Sequence, residues 1–194
     1  MNLETFVVSD THFNHDNILL PEYSRRGEVV KSTAEMNEML IRKWNSVVTP
    51  RDFVFFLGDF GWFLSKGAKE EKQKLGHTSQ QIFDRLNGEK MLIRGNHDED
   101  DHLKLGWSSV VWQEVLKRNK LYITLNHYPM ISWMGSKDGV KEDKGIMIHG
   151  HIHTRKHLDT RKGRFCVSMD LIKDYTPMSL EEVIQIATVQ HGKS

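Results

Sequence analysis

The sequence predicts a mixed α/β sandwich, and three observations carry that expectation. Short apolar runs of β-prone residues recur along the chain and stop at Gly, Asp, Asn or His. In the first half these runs alternate with amphipathic segments of helical period, the pattern of βαβ units with parallel strands. A later pair of runs, separated by Arg118-Asn119-Lys120, reads as a hairpin and adds antiparallel pairing.

Residues 3–9 contain the run Phe6-Val7-Val8, a buried strand, with Asp10 just past its end. Ser32-Thr33-Ala34-Glu35 has the pattern of a capping box. Met36, Leu40, Trp44 and Val47 follow at helical spacing and predict a helix to about residue 48. Thr49-Pro50-Arg51 then turns the chain into a strand over residues 53–57, which stops at Gly58-Asp59. A charged stretch over residues 66–74 and a helix over residues 79–86 lead to the turn signal Asn87-Gly88. Met91-Leu92-Ile93 is a third strand, ending at Gly95-Asn96-His97-Asp98. In the second half, strands over residues 110–116 and 121–125 form the hairpin and end at Asn126-His127. Ile146-Met147-Ile148 ends near Gly150-His151-Ile152-His153, and residues 164–169 are a further strand. Ser179-Leu180-Glu181-Glu182 opens a last helix that runs to about residue 189.

A length of 194 residues suggests one domain, 1–194, with a substantial core. No apolar run approaches the ~20 residues needed to span a bilayer, and the first residues lack the basic and apolar regions of a signal peptide. A single cysteine, Cys166, excludes an internal disulfide framework and any multi-cysteine zinc site, and fits a cytoplasmic protein. The formal charge of +1 predicts no strong general attraction for nucleic acid. Histidine is abundant, with 11 copies, several of them beside Gly, Asp or Asn. Their placement matters because histidine is the commonest metal ligand and acid–base side chain.

One pattern recurs five times: an apolar strand, then a polar cluster where it gives out. The clusters are Asp10-x-His12, Gly58-Asp59, Gly95-Asn96-His97-Asp98, His127, and Gly150-His151-x-His153. Each has a bland reading by itself: a common strand end, a turn, a capping loop, a stray histidine. Gly-His-x-His is the strongest alone, since alternation puts both imidazoles on one side. The ordered set of five makes coincidence improbable. Carboxylate, imidazole and amide oxygen together suit manganese, zinc, iron or nickel rather than magnesium or calcium.

In these blocks the chain resembles the calcineurin-like metallophosphoesterases, whose ordered motifs are Asp-x-His, Gly-Asp, Gly-Asn-His-Asp/Glu, His and Gly-His-x-His. The match runs from Asp10 to His153. Ser9-Asp10-Thr11-His12-Phe13, Arg42-Lys43-Trp44-Asn45 and Leu57-Gly58-Asp59-Phe60 resemble more narrowly a small bacterial and phage branch. The resemblance implies a four-layer α-β-β-α sandwich of two mixed sheets, with two divalent transition-metal ions at the sheet ends. Manganese is the first choice, with zinc, iron, nickel or cobalt as alternatives. By the same resemblance Asp10, His12, Asp59 and His153 hold one metal; Asp59 bridges to a second, completed by Asn96, His127 and His151. His97 faces the substrate, and Asp98 orients its imidazole. The implied reaction is hydrolysis of a phosphate mono- or diester by a metal-bound hydroxide. Nucleotides, cyclic nucleotides, nucleic-acid ends and phosphoproteins are all open as substrates; the compact chain leaves little room for a large cap domain and favours a nucleotide or nucleic-acid end, and the lack of a spanning run predicts no membrane partner. Two departures from the family pattern stand out. Gly58-Asp59-Phe60-Gly61-Trp62 lacks the further Asp that many relatives carry, and Asn14 stands where close relatives often have Gly.

A non-catalytic metal-binding scaffold with the same fold is the alternative, but such a protein is expected to lose ligands and none is missing here. Other metallohydrolases fit less well: His-x-His-x-Asp-His is absent, and a catalytic barrel typically needs ~250 residues. Several residues carry weaker claims. His15 reads as a surface histidine rather than a lining one. His149 is either a support to the site or a buried, satisfied histidine. Arg155, Lys156, His157, Arg161, Lys162 and Arg164 read as a solvated hairpin face, with a phosphate-binding rim as the alternative. Trp62, Trp107, Trp112 and Trp133 are assigned to packing, with base stacking as the alternative. Cys166 is read as an inert core thiol.

Overall fold

A computed structural model describes residues 3–62, 77–136, 144–153 and 163–192. The charged stretch at 66–74 and most of the basic cluster at 155–162 lie outside the described residues. The first sheet contains β1 (Thr5–Val8), β2 (Phe53–Phe56), β3 (Glu89–Ile93), β4 (Val110–Val111) and β9 (Met178–Ser179), in the order β4-β3-β2-β1-β9. Its strands are parallel except β9, which runs antiparallel to β1. The second sheet has the order β5-β6-β7-β8, formed by β5 (Gln113–Arg118), β6 (Leu121–Asn126), β7 (Gly145–His149) and β8 (Arg164–Cys166). Only the β5–β6 hairpin is antiparallel there. The two mixed sheets and their flanking helices are those the four-layer sandwich requires.

Alternation along the strands sorts side chains into two cores. Phe6 and Val8 of β1 with Val54 and Phe56 of β2 face outward, against α1 (Thr33–Asn45) and α2 (Ser79–Arg85). Met36, Leu40 and Trp44 of α1 fill this layer with Ile82 and Phe83 of α2, as their helical spacing predicted. Val7, Phe55 and Leu57 face the other way and meet Ile123, Leu125, Ile146 and Ile148 of the second sheet. Leu180, Val183 and Ile184 join that core from α3 (Leu180–Gly192), which contacts β1, β9, β7 and β8. Fully burying each such side chain contributes about 1.5–3 kcal/mol.

Caps set the helix starts. Ser32 Oγ accepts from Glu35 N at 3.2 Å, while the Glu35 carboxylate accepts from Lys31 N rather than from the cap residue. At α2, Thr78 and Gln81 make a reciprocal capping box that the sequence reading missed. The Trp44-Asn45 pair anchors the end of α1: Trp44 Nε1 donates to Asn87 O, and Asn45 bonds Arg85 O and Asn87 N.

Two expected strands differ from the structure. The run 110–116 is two strands in different sheets, broken by a bend at Trp112, so β4 pairs with β3 while β5 pairs with β6. The run 164–169 stays in the second sheet only to Cys166. Beyond it, Val167 O and Met169 N bond Ser9 of the first sheet and tie the two sheets together.

Candidate metal centre

Because β1, β2 and β3 are parallel, and β6 and β7 are parallel, their carboxyl ends gather the five clusters at one edge of the sandwich. The two sheets are stitched there by backbone bonds: Asp10 N donates to Gly58 O and Gly150 N to His127 O. Four of the seven candidate ligands have left-handed backbones: Asp10 (φ 57°), His12 (φ 47°), Asp59 (φ 60°) and His151 (φ 69°). Each such non-glycine residue costs about 1–3 kcal/mol, a strain that persists only where the surroundings over-determine it. Asn14 is left-handed too (φ 60°), which explains why a glycine suits this position. Two glycines permit the close approach. A Cβ on Gly58 would lie 2.6 Å from His127 Nδ1, and one on Gly150 would lie 2.7 Å from Asp10 Oδ2.

The ligating atoms converge in two groups that share Asp59: Asp10, His12, Asp59 and His153, then Asp59, His127 and His151. His12 Nε2 is 3.2 Å from His153 Nε2 and 3.6 Å from Asp59 Oδ2, and Asp10 Oδ1 is 3.5 Å from His153 Nε2. On the other side of Asp59, His127 Nε2 is 3.5 Å from Asp59 Oδ2. Asn96 Oδ1 completes this group, 3.0 Å from both His127 Nε2 and His151 Nδ1. All seven expected ligands are thus brought together. Asp10 and Asp59 are buried, as are His12 and His127. Burial pushes the Asp10 carboxyl up, partly offset by His153 and His127, and holds His12 well below the usual imidazole range. Burial also lowers His151. Buried carboxyl groups whose charge lacks a full neutralising partner, facing the His12 and His151 rings held in the lone-pair form, fit a site completed by divalent cations.

Neighbouring acceptors set which ring nitrogen of two candidate ligands is free. His127 Nδ1 lies 2.8 Å from Leu57 O, and His153 Nδ1 lies 2.7 Å from Asp170 Oδ2, leaving each Nε2 for the centre. Burial opposes a charge on His153, yet the Asp170 hydrogen bond and the Asp10 charge leave it raised. Asp170 is held in turn by the buried Arg26, whose Nε donates to Oδ1 at 2.7 Å and Nη2 to Oδ2 at 2.9 Å. The same guanidinium donates to the carbonyls of Asp10 and Thr11. Sequence reasoning missed both residues. Asp170 had a usable signal, since it follows a strand run as Asp10 does; Arg26 sits in a loop with no motif around it.

Asp98 has a different job from the one expected. Its Oδ2 accepts from Asp59 N at 3.0 Å and Gly95 N at 2.8 Å, and Oδ1 accepts from Phe60 N at 2.9 Å. Among the described residues these backbone amides take up the carboxylate, and no bond reaches the His97 ring. Asp98 therefore fixes the turn that carries Asp59. His97 is exposed, its backbone N donates to Asp59 Oδ1 at 2.8 Å, and its ring centroid lies 5.3 Å from that of His12.

His97 borders a cleft of about 340 Å³, shared with His12, His15, Tyr23 and His153. His15 is half-buried there, with Nδ1 3.3 Å from His12 Nδ1, which overturns its reading as a surface histidine. Burial lowers it as well. His149 points to the outer face of the second sheet, is buried, and has Nδ1 2.8 Å from Gly150 O; burial lowers it to about 4. Cys166, its cross-strand partner, is pushed up to about 12 by burial, as an inert thiol should be. Arg164 is buried and donates to Met130 O at 2.9 Å, so it does not belong to a solvated face. Trp107 packs against Phe56, Phe60 and Phe83, whereas Trp62 and Trp112 are exposed.

The family model described as calcineurin-like phosphoesterase matches residues 4–186. An uncharacterised protein of Methanocaldococcus jannaschii is 34% identical over 194 residues, covering 97% of this chain and 92% of its own. The gene 66 protein of Mycobacterium phage L5 is 30% identical over 173 residues, 77% of each chain. Among solved structures, a protein of unknown function from Aquifex aeolicus is 25% identical with a TM-score of 0.68, covering 95% of this chain and 100% of that one. Among the described residues, no helix is long and apolar enough to cross a membrane.

Proposed function

This chain belongs to the calcineurin-like phosphoesterase family, and from that premise we propose that it hydrolyses phosphate mono- or diesters of nucleotides or nucleic-acid ends at a centre of two divalent transition-metal ions. The family and the Asp/His clusters make this a metal-dependent phosphoesterase. The two-ion centre is supported by the pair of donor groups that meet at Asp59. Asp10, His12, Asp59 and His153 would hold one ion, and Asp59, Asn96, His127 and His151 the other, with manganese the first candidate. Bound there, two such ions would supply a nucleophile from water near neutral pH and would offset charge on the phosphoryl oxygens.

The chain's own groups account for the rest. Asp59 lies between the donor groups and brings anionic charge where two cations would repel. Its Oδ1 also accepts from His97 N, so the residue that holds the centre also positions the exposed imidazole. As the water oxygen bonds to phosphorus and the ester P–O bond breaks, His97 gives a proton to the leaving oxygen. Asp98 and Asp170 are positioning residues; they act through the Asp59 turn and the His153 ring.

The test is turnover of p-nitrophenyl phosphate and bis(p-nitrophenyl) phosphate by stripped protein reloaded with manganese, zinc, iron, nickel or cobalt. Metal-dependent release of p-nitrophenol is expected. Stoichiometric metal binding without turnover of either ester would instead favour the scaffold.

A further inference from the structure

Among the described residues, four aromatic side chains are strongly exposed: Tyr23 (51%), Trp62 (43%), Trp112 (65%) and Tyr128 (42%). Exposed aromatic rings scattered singly need no explanation; Tyr23, Trp62 and Tyr128 lie beside residues of the metal centre, and Trp112 is joined to Tyr128 through Asn126. Tyr23 lines the cleft with His97 and His153, and the Trp62 ring centroid is 5.6 Å from that of His15. Tyr128 sits across Asp59, with its ring 4.9 Å from His127 and 4.8 Å from His151. Asn126 ties Tyr128 to Trp112: its Oδ1 accepts from Tyr128 N at 2.8 Å and its Nδ2 donates to Trp112 O at 3.3 Å. Trp112 is further held by the Arg94 guanidinium, 5.0 Å over its ring. Tyr23, with Trp62 against the neighbouring His15, therefore borders the Asp10-His12-Asp59-His153 group, and Tyr128, with Trp112 linked to it through Asn126, borders the Asp59-Asn96-His127-His151 group.

We propose that these two aromatic pairs stack nucleobases on either side of the scissile phosphate, so that the substrate is single-stranded nucleic acid with a nucleoside on each side of the phosphodiester; this rests on the hydrolytic reading above. Every base offers a π-face to an aromatic ring, but only unpaired, unstacked bases can reach one. Among the described residues on the Arg94 side of the centre, charge does not supply the affinity. Glu99, Asp100 and Asp101 are exposed in the loop after the Gly95-Asn96-His97-Asp98 cluster, and Arg94 is engaged with Asp98 O and Asp100. The rings are expected to carry a share of binding that salt does not weaken.

Fluorescence anisotropy with labelled phosphorothioate oligothymidylate and oligouridylate tests this on the manganese-loaded protein. Anisotropy is read directly after mixing on probes checked to be intact, and the deoxy and ribo forms tell DNA from RNA as the source. Tyr23→Ala with Trp62→Ala, and separately Trp112→Ala with Tyr128→Ala, are each expected to raise Kd about 5- to 150-fold. Phe at the same positions restores binding, which separates stacking from a general disturbance of the fold. Probes annealed to their complements bind more weakly. A Kd unchanged by both alanine pairs, or duplex bound as tightly as single strand, overturns the proposal. Turnover of methyl p-nitrophenyl phosphate by the wild type is measured alongside; its absence would count against the hydrolytic reading while the binding result stands separately.

Discussion

Asp98 offers the sharpest separation between a structural and a catalytic role. Its carboxylate is buried and accepts from three backbone amides, those of Asp59, Phe60 and Gly95. In Asp98→Asn one oxygen can still serve Asp59 N and Gly95 N, but the new amide group must then face Phe60 N, donor against donor. One buried amide loses its acceptor, at a cost of about 1–3 kcal/mol. Chemical denaturation of the metal-free variant should register that loss at unchanged slope. Asp98→Ala removes all three bonds and should cost more. Because the turn carries Asp59, both variants should also weaken metal binding, measured by titration of stripped protein. A variant with normal stability and normal metal affinity that nonetheless matched His97→Ala in rate would refute this reasoning and restore Asp98 as the orienter of His97.

Two further expectations follow from other contacts. His97→Ala should keep its metals and lose about 10²–10⁴-fold in rate on alkyl or ribose esters, but much less on p-nitrophenyl esters, whose leaving group departs without a proton; equal losses on both would make His97 a phosphate-positioning group. Glu38 joins α1 to α2, and Arg85, despite partial burial, lowers its carboxyl to about 2 with help from His77. A depressed carboxyl adds stability above its unfolded pKa and loses it as pH falls, so this contribution should fade between about pH 4.5 and 2. Both partners are well exposed, so solvent screening limits the pair to about 1 kcal/mol or less; acid titrations of Glu38→Gln and wild type should converge at the low end of that window.

The strand-end clusters were legible because each is local: an apolar run, a glycine or turn, and a ligand within a few residues. Parallel pairing then carries all of them to one edge, which is why all seven ligand candidates converge. Sheet membership was less legible. Val110 to Leu116 reads as one β run by composition, yet the bend at Trp112 sends its two halves to different sheets. Asp98 was misjudged because its partners Asp59 and Phe60 are distant in sequence, and the visible neighbour was His97. The salt bridge from Arg26 to Asp170 spans most of the chain, and only the Asp170 end had a pattern to reveal it. His15 gave no sign of burial, since its depth comes from Trp62 and His97 folding over it.

The two-ion centre built around Asp59 is tested most directly by counting metal. Stripped protein is reloaded with manganese, freed of excess and assayed for metal per chain, in wild type and in Asp59→Asn. Two ions per chain are expected in the wild type. Asp59→Asn should weaken both sites, and by more than Asn96→Ala does, because Asn96 belongs to one donor group only. A wild type that saturates at one ion, or an Asp59→Asn variant that holds two with undiminished affinity, would contradict the shared-carboxylate centre.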